Sequence, residues 1–357
     1  MLGRGVDQIL PYPSDPALYE PSITDARRYV RIAEQVTGPI PGSVDVTYPW
    51  GDALTVLEQR KPEVRMINLE TSITASDDHW PGKGIHYRMH PENVPVLTAA
   101  GINVCSLANN HVLDWGYAGL EETLRTLDQA KVGYTGAGAN FREAASPAKV
   151  PLPEAGRVLA FGIGVRSGGI PPSWAATEET AGIHLLPDLS SHTIRDLGEH
   201  IRSVKQPGDL VVASIHWGAN WGYDIPHQQR SFAHRLIDSA GVDLVHGHSS
   251  HHAKGIEVYH GQLILYGCGD FINDYEGIGG YEQYRSDLGL MYFPEVNAGT
   301  GELVRLEMVP TKIRHFQVQR ASAADAEWLQ AMLNREGKPL GTRVTSEDGT
   351  LVLHWEE

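Results

Sequence analysis

Five short apolar runs in this sequence each end in side chains that bind cations or carry protons. MINLE ends in Asn68 and Glu70, VCSLANNH in Asn109, Asn110 and His111, VVASIHWG in His216, DLVHGHSSHH in His246, His248, His251 and His252, and ILYGCGD in Asp270. Neutral imidazole and carboxylate are the usual ligands of Zn, Mn or Fe, and an amide oxygen suits a harder ion. Glu70, Asn110, His216 and one or two of the His246 to His252 block therefore suit one or two divalent ions. Such ions activate a water or polarise a carbonyl or phosphoryl oxygen. Seven of the 17 histidines fall between His216 and His252. The four within the last seven of those positions are too many to all be ligands, so some cap or hydrogen-bond their neighbours.

Other residues carry weaker signals. WGANWG places Trp217 and Trp221 just past His216, as a stacking platform for a substrate or as core. DDHWPGKGIHYRMH brings His79, His86 and His90 together with Lys83, Tyr87 and Arg88, which suits a pocket wall and suits a surface loop equally. GYTGAGAN is Gly-rich but lacks the Lys-Ser/Thr of a phosphate loop and reads as a turn. No G-x-S-x-G or catalytic-cysteine signature is present.

The elements that must hold these groups alternate. Runs rich in Val, Ile and Leu predict strands at 64–69, 102–107, 158–163, 210–215, 242–245 and 262–266. Leu120, Leu124 and Leu127 recur on one helical face that stops before Gly133, with Asp114 and Gly116 opening that helix. Gln229, Ala233, Leu236, Ile237 and Ala240 share another helical face, and Pro91 opens a short helix that ends at Gly101. Alternating strands and helices predict an α/β fold with a largely parallel sheet. Ligands bind beyond the carboxyl ends of such strands, which brings all five polar groups to one rim. From Ser286 the pattern changes to strands at 289–296, 303–309, 314–319 and 350–355 with a helix at 323–333, read as antiparallel strands closing the sheet. Residues 1–320 form one domain in this reading, and residues 321–357 pack on it. The Gly-, Pro- and Ser-rich stretch from Pro147 to Pro187 is the place for an irregular excursion.

Composition narrows the function classes. The chain has 41% hydrophobic and 20% charged residues and a formal net charge of −15, an acidic balance that argues against a general nucleic-acid or anionic-membrane binder. Two cysteines in apolar runs make no disulfide framework. No signal peptide or membrane-spanning run is legible, so a cytoplasmic location and a small-molecule or peptide substrate are expected.

Taken in order, MLGRGVD, NLETSIT, LANNHVLDWG, SIHWG, the His-rich block before GIEVY, and GCGDFIND resemble the CapA-type poly-gamma-glutamate capsule protein family, a branch of the calcineurin-like metallophosphatase superfamily. The resemblance runs from Met1 to about Asp274. It implies a metallophosphatase-like α/β/β/α sandwich with a metal centre at the strand ends, holding one or two divalent ions (Mn, Fe or Zn). It implies Glu70 as a metal-bridging carboxylate, Asn110 as a ligand amide, His111 as a catalytic imidazole and His216 as a ligand, with His248 and His251 completing the set. Asp270 stands where many relatives carry Asn and adds an acid or base; Trp217 and Arg88 are the candidate substrate contacts. The family opens with a strand ending in Gly-Asp, and that Asp is a ligand; this sequence begins too late to contain it, so either its start is truncated or one metal site is lost or weakened. Met1 itself stands where phosphatases of the superfamily have His. The lack of the membrane anchor usual in capsule-synthesis members points to a paralogue with another substrate. The activity implied is a hydrolase acting on a phosphoester or a peptide or glutamyl amide, including polyglutamate. A metal-assisted peptide epimerase and a binding protein with a degraded site are the competing readings.

Overall fold

Met66–Asn68 and Gly133–Thr135 flank Val104–Ser106 in a small parallel sheet, in register Met66 with Val104 and Val104 with Gly133. The computed structural model that gives this arrangement describes residues 1–153 and 156–356. A second, six-stranded sheet has Arg157–Gly164, Leu210–His216, Leu244–His248 and Gln262–Leu265 parallel to one another. Antiparallel strands Ala148–Pro151 and Ile256–Tyr259 close its two edges. The parallel sheet expected from the sequence is thus two sheets. They meet through Val104, Ala148 and Ala160, which form a small apolar cluster of their own.

Helices cover the outer faces for the reason their sequences give. Gly116–Ala130 buries Leu120, Leu124 and Leu127. Ser191–Val204 and His227–Arg235 send Ile194, Leu197, Phe232 and Ala233 into the core of the six-stranded sheet. The second of these helices widens into a π turn at Leu236–Ala240, so the single helical face expected there is interrupted. Helices Arg27–Thr37 and Asp52–Arg60 carry no signal that the sequence reading used.

The tail does not extend the second sheet but forms a third, antiparallel one, with Leu288–Val296, Leu303–Arg314, Thr350–Trp355 and Thr342–Glu347 in that order. The strand expected at 314–319 is cut by His315 and Phe316, whose φ values of 58° and 56° turn the chain into a hairpin with Gln317–Arg320. Helix Ala323–Gly337 packs Leu329, Met332 and Leu333 against Ile256 and Leu263 of the second sheet and Val344 and Leu351 of the third. No helix among the described residues is long and apolar enough to cross a membrane.

Strands Met66–Asn68 and Leu288–Val296 each have one edge without a partner strand. Both line a cavity of about 1070 Å³, largely apolar along Met66, Ile67, Leu290 and Tyr292, which reaches Met1, Glu70 and Asp270. The Met1 amine, buried there, donates to Ile272 O at 2.6 Å.

Candidate functional site

The loop after Val104–Ser106 is built by its own amides. Asn109 Nδ2 donates to Asn68 Oδ1 at 3.0 Å and to Leu69 O at 2.9 Å, and Asn109 Oδ1 accepts from His111 N at 3.0 Å. One asparagine therefore staples the loop to the neighbouring strand end and leaves Asn110 and His111 to face the site. His111 Nδ1 lies 2.7 Å from Asp114 Oδ2, and His111 Nε2 lies 4.0 Å from Glu70 Oε1. Asp114 was expected to open the following helix; instead its carboxylate is fully buried, taking Tyr87 N at 2.6 Å, His111 and Lys83, and the helix begins without a side-chain cap. Burial pushes His111 down to about 4, against the pull of Asp114 and with the help of Lys83.

Ser214, His216, His246 and His248 sit at paired register positions of two parallel strands, Ser214 opposite His246 and His216 opposite His248. Alternation puts all four on one sheet face. His216 Nδ1 is 2.9 Å from His248 Nδ1, while Ser214 Oγ is 3.0 Å from His246 Nδ1 and 3.1 Å from His248 Nε2. Burial first, then neighbouring imidazoles, holds His216 down to about 3 and His248 well below its ordinary value.

Glu70 and His251 form the third wall. Glu70 Oε2 accepts from Asn68 Nδ2 at 2.8 Å, and burial raises its pKa. His251 Nδ1 is 3.0 Å from Asp270 Oδ1, and its Nε2 is 3.5 Å from the Tyr275 hydroxyl. Burial opposes the charged form of His251, but Asp270 outweighs it and the pKa is raised; Asp270 is lowered, since His251 and the Met1 amine outweigh its own burial.

Among the described residues no three His, Cys, Asp or Glu side chains stand at metal-ligand spacing. The donors pair with one another instead. Among the described residues ten buried side-chain atoms have no hydrogen-bond partner, and three of them, Asn110 Oδ1, His216 Nε2 and His252 Nε2, belong to the expected ligand residues. Burying such atoms unpaired costs about 1–3 kcal/mol each, so they mark where a partner belongs. Asn110 and His216 both pack against the turn at Gly168 and Gly169. A Cβ on Gly168 would lie 2.6 Å from His216 Cδ2, and one on Gly169, whose φ is +77°, would lie 3.5 Å from Asn110 Nδ2. By atom type an amide oxygen, an unpaired imidazole nitrogen and a carboxylate oxygen suit a borderline divalent cation, but Glu70, His216 and His251 do not stand at ligand spacing in this structure. Asp270 holds His251 through Nδ1 at 3.0 Å and also lines the cavity that reaches Glu70.

Two expected substrate contacts are not brought to the site. Arg88 lies over Trp115 at 3.8 Å and donates to Ser76 O at 2.6 Å and Asp15 O at 2.9 Å. Trp217 is 2% exposed in the core of the second sheet, with Nε1 donating to Tyr266 O. Trp221 is the tryptophan near the site, 5.3 Å from His251 and stacked on Tyr281. Lys83, expected as a pocket-wall or surface-loop residue, is brought beside His111, whereas Asp114 and Tyr275 were missed as site residues because their partners are distant in sequence.

Residues 1–275 match the family described as bacterial capsule synthesis protein PGA_cap. The chain is 47% identical over 353 residues to a probable polyglutamine synthesis accessory protein of Mycobacterium tuberculosis, covering 99% of this chain and 93% of that one. The chain belongs to the PGA_cap family. It is also 30% identical over 247 residues to the PGA biosynthesis protein CapA of Bacillus subtilis, covering 69% of this chain and 60% of that protein. With the capsule biosynthesis protein CapA of Bacillus anthracis it shares 29% identity over 196 residues, 54% of this chain and 45% of that protein. The PGA_cap match takes in every residue of the site described above, from Glu70 to Tyr275, and stops before the antiparallel sheet and the C-terminal helix.

Proposed function

We propose that this PGA_cap protein is a divalent-metal-dependent hydrolase acting on a phosphoester or a glutamyl amide, in an accessory role to making a glutamyl polymer. The observation that carries the reading is the pair of unpartnered buried atoms, Asn110 Oδ1 and His216 Nε2, at strand ends of the two sheets, together with His111 Nε2 lying 4.0 Å from Glu70 Oε1. Asn110, His216, Glu70 and His251 would hold the ion, with His248 bracing His216 and Asp270 bracing His251. Bound there, a divalent cation supplies an activated water and polarises the scissile group. His111, aligned by Asp114, would take a proton from the attacking water at Nε2 and pass it to the leaving group. The relatives' names, a polyglutamine synthesis accessory protein and a PGA biosynthesis protein, support a glutamyl polymer as the setting.

The test is turnover by metal-loaded protein of a chromogenic phosphodiester and of a glutamyl oligomer. Release of either product, abolished by chelation and by His111→Gln, supports the reading; no release from either substrate class with the metal bound contradicts it. A second reading has one observation behind it. His111–Asp114 and His251–Asp270 are two imidazole–carboxylate pairs flanking Glu70, an arrangement that suits proton exchange at a peptide α-carbon by an epimerase. Solvent deuterium appearing in a peptide without its cleavage selects that alternative.

A further inference from the structure

Lys83 is a buried cation that the reaction above does not use. It enters from the loop between Trp80 and His86, which is tied down by Trp80 N donating to Asp114 O at 2.8 Å and His86 Nε2 lying 3.0 Å from Trp80 O. Its side chain is 16% exposed and its ammonium lies 5.5 Å from the Trp174 ring centroid. Nζ donates to Asp114 Oδ1 and, at 3.1 Å, to Ile85 O, and it stands 2.9 Å from His111 Nδ1.

The three groups constrain one another. Asp114 Oδ2 already takes the Tyr87 N–H and lies 2.7 Å from His111 Nδ1. Two lone pairs at that separation repel, so a proton sits between them. The carboxylate has no proton to give while it accepts from an ammonium, so the proton belongs to Nδ1. Two of the three ammonium hydrogens of Lys83 go to Asp114 Oδ1 and Ile85 O, and by holding Oδ1 the lysine stops the carboxylate from rotating away from the ring. Nε2, the atom facing Glu70, is then the bare nitrogen. An Nδ1 lone pair accepting from Lys83 would give the opposite ring, with Nε2 carrying the hydrogen.

We propose that Lys83 is a positioning residue that clamps Asp114 and thereby fixes His111 in the Nδ1–H form with Nε2 open to the site. The proposal rests on the reading of His111 as the proton-transfer group, but its structural part stands apart from any turnover.

Nitrogen-15 NMR of the histidine side chains tests it, with His111 assigned by its loss in His111→Gln. The wild-type protein should show His111 protonated at Nδ1 and bare at Nε2; Lys83→Met should move the ring toward the Nε2–H form while metal content stays that of wild type. Where hydrolysis is measurable, Lys83→Met should lower kcat by about 10- to 100-fold with KM unchanged. Lys83→Gln, which keeps a donor for Asp114 Oδ1, replaces Met should the latter not fold, and should preserve the wild-type ring with kcat restored. A wild-type ring protonated at Nε2, or a ring state unaltered in Lys83→Met, overturns the proposal. If no substrate is turned over by wild type, the hydrolase reading fails and the NMR comparison still decides the role of Lys83.

Discussion

Asn110 and His216 stand against the two glycines of one turn, Gly168 and Gly169, and each ends in a buried atom with no partner in the protein. They come from different sheets, Asn110 from the loop after Val104–Ser106 and His216 from the end of Leu210–His216. Replacing His216 with Ala should abolish metal binding and leave the far-ultraviolet circular dichroism unchanged. Full metal occupancy in that variant would remove His216 from the ligand set.

His111 is assigned to proton transfer and not to the ligand shell. His111→Gln is therefore expected to retain its metal while turnover falls by about 100-fold or more, the usual weight of a general acid–base group. Loss of metal along with turnover would place His111 among the ligands.

The Gly168 turn has no room for a methyl group. In Gly168→Ala the new Cβ would meet His216 Cδ2 at 2.6 Å and the His216 carbonyl oxygen at 3.0 Å. Forcing that contact should cost about 1–3 kcal/mol and lower the metal affinity with it. Equilibrium denaturation and a metal titration of the same variant check both; unchanged values would mean that the turn yields and does not hold His216.

Acid should unfold the metal-free protein early. His111, His184, His246 and His252 are pushed down to about 4 and His216 to about 3, burial being the first cause in each. Unfolded, each titrates at about 6.5. Between those values the unfolded chain binds more protons, so stability rises with pH, is complete above about 6.5, and is lost as pH falls toward 4. His251, raised by Asp270, works the other way: its contribution is complete below its unfolded value and fades as pH rises through its folded one. The five outweigh the one. A denaturant midpoint that falls steadily from pH 6.5 to 4.5, less steeply in His184→Asn, is the expected result; a flat midpoint would contradict it. His184 is useful here because its Nδ1 lies on Gly162 O at 3.1 Å, away from the proposed ligands.

Backbone amides on the open edges of Met66–Asn68 and Leu288–Val296 should exchange with solvent faster than those of Leu210–His216, which is paired on both sides. Hydrogen exchange read by mass spectrometry checks this. Equal protection of all three strands would mean that the groove between the two edges is filled in solution.

Much of the site was legible because polar residues at strand ends are a local signal. Glu70, Asn110, His111, His216, His248, His251 and Asp270 each follow an apolar run directly, and the fold turns those run ends toward one another. What was not legible depends on partners far away in sequence. Asp114 looks like a helix-opening residue until Lys83 and Tyr87 arrive from some 30 positions upstream. Arg88 and Trp217 sit beside chemistry-bearing residues in sequence, yet a strand alternates its side chains between faces, and theirs were claimed by Trp115 and by the core. Gly133–Thr135 was lost as a strand because glycines on both sides imitate a turn, although the register with Val104–Ser106 is regular. Two sheets instead of one could not be read from strand runs, which carry no record of which neighbour each strand takes.

The central claim is that the unpartnered Asn110 and His216 atoms are there for a cation. Elemental analysis of the purified protein after incubation with Mn, Fe or Zn and removal of free ions tests it most directly, alongside a variant carrying both Asn110→Ala and His216→Ala. At least one ion per chain in the wild-type protein and none in the double variant is the predicted result. A wild-type protein that retains no ion, or a double variant that retains as much as wild type, would contradict the account.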